Sequence, residues 1–222
     1  MKCTMTKTML TVAALLAPLP LYAQEAQELT APMASSSSKA APSNAFELML
    51  GFGYEQGFGT IGDSQPKVND LISAGGEIQL GLGWRINPRS TVGIWASGGK
   101  NGTQDLAAGG SAYTAGAGIE SNYHFLPEND WDPWIGLAFG YRGLWVTTDQ
   151  TSSWQGIGSR LSLGVDFRVS RELAVGPYIA AGTNIYFHED TPNSSSGIDR
   201  RKLTLWVGAG LQARFDLFGQ HG

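Results

Sequence analysis

Cysteine, histidine and long apolar runs are nearly absent from this chain. Its one cysteine is Cys3, and its three histidines are His124, His188 and His221. No apolar run approaches the roughly 20 residues that a membrane-spanning helix requires, so no such helix is expected. Residues 1–23 read as a secretory signal. Lys2 and Lys7 precede a short apolar stretch, Met9 to Ala17, and Pro18, Pro20 and Ala23 form a cleavage region. Cleavage after Ala23 removes Cys3. The exported chain then has no disulfide, no thiol nucleophile and no cysteine-based metal site. Without Lys2 and Lys7, 13 basic residues face 19 acidic ones, a charge of −6. That balance excludes nucleic acid as a partner. No cofactor is implied either. Loop glycines 57, 59, 62, 109 and 110 open no helix, so they form no phosphate cradle.

What the chain has is alternation. From Lys202 to Phe215, Leu203, Leu205, Val207, Ala209, Leu211, Ala213 and Phe215 fall at one parity. Successive side chains leave opposite faces of a strand, so this segment predicts a strand with one apolar face. It is longer than the average soluble strand and long enough to cross a bilayer at a tilt. Residues 24–44, rich in Ala, Ser, Pro and Gln, predict a disordered leader. Seven further strands are predicted at about 45–55, 72–86, 90–98, 112–126, 134–146, 156–169 and 172–188, with 45–216 as one barrel and 217–222 as a tail. Tight turns at 87–89 and 170–171 and an intermediate one at 126–133 occupy one end. Longer loops at 56–71, 99–111, 147–155 and 189–201 occupy the other, the asymmetry of outer-membrane barrels. An even strand count places both termini at the short-turn end. Mean hydropathy is −0.12. This leaves a membrane barrel open, because alternating strands cancel in any average.

The non-apolar face decides between a soluble and a membrane barrel. It is rich in glycine, and the only lysine predicted on a strand is Lys202, at a margin. Water-facing strands favour Lys, Thr and Glu and avoid Gly, whereas a narrow lumen has room for few side chains. A soluble lipocalin would be apolar inside and polar outside. Aromatics on the apolar parity sort to the ends. Phe46, Trp84, Phe125, Phe167 and Phe215 lie near the short turns, and Tyr54, Tyr113, Tyr141, Trp145 and Phe187 toward the long loops. Membrane interfaces carry such girdles.

On these features the chain resembles the small eight-stranded outer-membrane proteins of the OmpA transmembrane-domain and OmpX type, over about residues 45–215. The closing Gly210-Leu211-Gln212-Ala213-Arg214-Phe215 resembles the family's C-terminal assembly signal. Ala213 stands where a large residue is usual, and Asp216–Gly222 continue past the aromatic. The resemblance implies a closed all-β antiparallel up-and-down barrel, integral to the cell outer membrane with both termini periplasmic. It implies contact with outer-membrane lipid and lipopolysaccharide, and with periplasmic chaperones and the barrel assembly machinery during biogenesis.

Inward charges nearly balance: Glu47, Glu77, Glu120 and Asp166 against Arg85, Arg142, Arg160, Arg168 and Arg214. Unpaired charges in so small a lumen would cost several kcal/mol each, so a plug of ion pairs is expected. Glu47 is expected to meet Arg214 across the barrel closure, and Glu77 and Glu120 to meet Arg142 and Arg160. A narrow OmpW-like channel for small solutes is the alternative. A lipid-modifying enzyme is the second, but His124 falls at the short-turn end, and no His-x-Ser placement like that of lipid A deacylases exists. His188, Glu189 and Asp190 point in different directions on a strand end, so no metal site is expected. The loops, rich in Gly, Ser, Asn and Asp, are expected to be mobile and to meet an external ligand that the sequence does not specify.

Overall fold

A computed structural model describes residues 40–63, 65–103 and 110–219. The signal segment, most of the leader and His221 lie outside the described residues. The barrel strands are β1 (Ala45–Phe58), β2 (Ile72–Asn87), β3 (Ser90–Thr103), β4 (Ser111–His124), β5 (Trp131–Thr147), β6 (Thr151–Arg168), β7 (Leu173–Thr191) and β9 (Leu203–Leu217). A four-residue strand, β8 (Ser194–Gly197), pairs only with the tip of β7. Each barrel strand pairs antiparallel with its sequence neighbour. β9 lies between β7 and β1, which closes the ring. The described residues form the predicted eight-stranded up-and-down barrel.

Alternation fixes the register. Leu48, Leu50, Phe52 and Tyr54 face outward on β1, while Glu47, Met49 and Glu55 face inward and are buried. A one-residue slip would invert every side chain, so the pattern admits one pairing. Exposed Leu, Ile, Val and aromatic side chains cover the outer wall, including Ile78, Ile94, Ile119, Leu137, Phe139, Ile179 and Leu211. Such a continuous apolar surface far exceeds the patches that soluble monomers expose. Phe46 pairs with Trp84 and Trp131 with Phe167 near the short turns; Tyr113 pairs with Trp145 near the loops.

Several expectations change. Strands run further toward the loop end than predicted, so the connection expected at 147–155 shrinks to 148–150, and β3 continues to Thr103. The strand lysine expected to be unique, Lys202, lies just outside β9, and Lys100 lies within β3. The predicted leader yields its last residues to the fold. Ala41 is buried, and its N–H donates to the Pro127 carbonyl at 2.9 Å in the turn between β4 and β5. The loops after β1 and before β9 are not free either. Isolated bridges join Thr60 to Lys67 and Gly62 to Arg201. Asp63 pairs with Lys202 at 2.6 Å and Arg200 at 3.2 Å, and these hydrogen-bonded cations hold its carboxyl below the usual range.

Candidate functional site

The interior has three storeys. At the short-turn end, three guanidiniums and three carboxylates interleave. Arg85 reaches Glu47 at 2.5 Å and Asp216 at 2.9 Å. Arg168 reaches the other Asp216 oxygen at 2.9 Å. Arg214 donates to Glu47 at 2.8 Å, and its Nε lies 3.0 Å from Asp166 Oδ2, a charge contact off the hydrogen-bond line. Trp134 Nε1 and Gln212 Nε2 each donate to Asp166 Oδ1 at 3.1 Å. All six charged groups are buried. Backbone geometry supports the cluster, since Arg85 also donates to the Pro88 carbonyl and Arg168 to that of Arg171, both in the short turns. His124 pairs with Asp132 at 2.8 Å at the same end, and both are buried.

The middle storey is looser. Glu55 pairs with Arg142 and accepts from Thr114 at 2.8 Å. Arg142 lies over the Trp206 ring at 3.8 Å from its centroid. Glu77 accepts from Gln79 at 2.8 Å. Arg160 makes no ion pair among the described residues; it stacks 4.8 Å from the Trp95 ring centroid. The indole rings explain inward glycines. A Cβ at Gly116 would come within 2.8 Å of Trp95, and one at Gly164 within 2.6 Å of Trp134. At those positions the ring occupies the space a side chain would need.

The third storey, toward the loops, is apolar. Leu144, Val146, Trp154, Tyr186 and Trp206 from the strands pack with Ile61 and Ile198 from the loops and with Val68 from a one-turn helix, Val68–Leu71, ahead of β2. Gln65 extends this lid by donating to Glu189 at 2.6 Å. Two voids in the lumen measure about 40 Å³ beside Glu77 and Arg160, and about 10 Å³ beside Glu120 and Arg214. Such volumes hold a few waters at most.

Of the nine charges singled out in the sequence, Glu47, Asp166, Arg85, Arg168 and Arg214 meet in the lower storey, with Glu47 on Arg214. Glu77, Glu120, Arg142 and Arg160 do not pair with one another: Arg142 crosses to Glu55, and the Glu120 carboxylate lies over Gly81. The expected partnership failed because indole stacking sets the direction of both middle arginines. Asp216 and Glu55 were overlooked. Both share the inward parity of Arg214 and Glu47, which was the available signal.

Among the described residues, no group of three or more His, Cys, Asp or Glu could hold a metal ion. His188 Nε2 lies 3.2 Å from both Asp190 Oδ1 and Ser195 Oγ, while Glu189 turns away to Gln65. A nucleophile–base relay needs the acid and the hydroxyl on different ring nitrogens, so these three residues do not form one.

No protein-family model and no curated protein matches the sequence. Solved structures do match in fold. Neisserial surface protein A is 13% identical, over 78% of this chain and 97% of that one, with a TM-score of 0.55. The outer membrane protein OprG from Pseudomonas aeruginosa is 12% identical, over 80% and 98%, at 0.47. The N-terminal barrel domain of Pseudomonas aeruginosa OprF is 12% identical, over 78% and 99%, at 0.45. A closed eight-stranded antiparallel barrel, apolar outside and polar within, is the fold of small outer-membrane β-barrels.

Proposed function

We propose that this chain is an integral outer-membrane barrel with a sealed lumen. Its role is structural or surface-interacting, exercised through the clasped loops above the membrane. The observation that carries this reading is the filled interior. A neutral cluster of three arginines and three carboxylates stands below an apolar lid, with two small voids of about 40 and 10 Å³ between them. A solute path would need to break both layers. Buried ion pairs resist this, because parting them leaves each charge desolvated and unpartnered. The apolar outer wall supports the membrane setting, with acyl chains rather than water as its solvent. On this reading β9 closes the barrel and presents the C-terminal signal to the assembly machinery.

Conductance tests the seal. Protein folded into planar bilayers, with the barrel state checked by its gel mobility before and after heating, should give no steady openings. Stable ohmic openings from the wild-type protein would overturn the plug in favour of the narrow channel.

A further inference from the structure

Among the described residues, the outward face of the barrel strands carries one lysine, Lys100, and no arginine. Other outward positions on the barrel strands are apolar, small or hydroxyl-bearing, apart from the amides Gln56 and Gln155 and, at the loop tip of β7, His188 and Asp190. On β3 the alternation buries Trp95 and Asn101 and exposes Ile94, Ala96, Gly98 and Lys100. Lys100 makes no ion pair among the described residues. Its cross-strand neighbours are Gly76 on β2 and Tyr113 on β4. Tyr54 lies beyond Gly76, and Trp145 beyond Tyr113. The ammonium therefore stands level with the aromatic belt at the loop end, where a lipid-facing cation costs far less than at mid-bilayer.

Snorkelling explains the depth of this cation, but not the hollow beside it. A Cβ at Gly76 or Gly98 would meet nothing within 4 Å. Phe52, Tyr54, Ile78 and Tyr113 stand around these glycines and border a shallow, open groove of about 650 Å³ that includes Lys100. A cation at the interfacial end of an apolar groove complements one kind of molecule: an amphiphile with a negative head and an acyl chain. Lysine binds phosphate as a point charge, and tyrosine hydroxyls at the same level supply further donors.

We propose that this groove holds a phosphorylated lipid of the leaflet on the loop side. Lys100 binds its phosphate, and one acyl chain lies over Gly98 between the aromatic walls. This inference rests on the membrane reading above.

The test is native mass spectrometry of the full-length folded protein. It is incubated with equal amounts of a bisphosphorylated disaccharide lipid of the outer-leaflet type and its dephosphorylated form, which share acyl chains. Wild type should retain the phosphorylated form in preference. Lys100→Gln should lower that preference about tenfold, the loss expected for one charge-assisted bond. Gly98→Leu fills the hollow without a clash and should reduce retention of both forms. Equal retention of both forms by wild type, an unchanged preference in Lys100→Gln, or unchanged retention in Gly98→Leu would overturn the groove. Liposome insertion is scored separately. A protein that inserts but shows no preference refutes the groove alone, and one that never inserts refutes the membrane reading as well.

Discussion

Arg214→Ala should cost the barrel about 3–5 kcal/mol, because it strands buried carboxylates rather than merely deleting a contact. Glu47 would keep Arg85, but Asp166 would lose its only guanidinium, and neither carboxylate can reach water. The Trp134 ring, 4.6 Å from the Arg214 guanidinium, would lose its cover too. Arg160→Ala provides the contrast. That arginine stacks on Trp95 without an ion pair among the described residues, so its removal should cost only about 0.5–2 kcal/mol. Urea unfolding in lipid vesicles, followed by tryptophan fluorescence, measures both. Equal and small losses would mean that the lower cluster contributes little, and that the interior is held by its indoles alone.

Phe139→Arg should destabilise the protein by about 2–4 kcal/mol in bilayers, the cost of an arginine at mid-depth on a lipid-facing strand. Phe139 lies between the Trp131 and Trp145 rows and is 53% exposed. If its surroundings were water, replacing so exposed a side chain would change stability by no more than about 0.5 kcal/mol. The same unfolding titration decides, and a change within that smaller range would refute lipid exposure. The substitution adds a charge without touching the interior, so its effect isolates the solvent around the wall.

Parity made the barrel legible. In β9 each odd residue from Leu203 to Leu217 faces outward and each even one inward, as the alternation required. Strand ends were harder. Gly98 and Gly99 looked like a terminus because glycine weakens strands, yet the ladder continues through Asn101 and Ala112, and that hid Lys100. Asp216 was cut off for a related reason, since an aromatic at 215 looked like the end of the last strand. Partner choice inside the lumen was not legible at all. Parity says that Arg142 points inward, but its meeting with Glu55 depends on stagger around the ring and on Trp206 beneath it. The apolar lid was equally hidden. Ile61 and Ile198 are isolated in polar loops, and single apolar residues carry no period from which burial could be read; Val68, Leu71 and Ile72 share helical spacing, but over one turn only, too short to be read as a helix.

The central claim is that β9 meets acyl chains on one face and a packed, polar lumen on the other. A photoactivated carbene carried on a lipid tail tests it in the native protein, with labelled side chains mapped by mass spectrometry. Labelling should fall on Leu205, Val207, Ala209 and Leu211 and spare Thr204, Trp206 and Gln212, which are buried inside. Equal labelling at both parities, or none along β9, would contradict it.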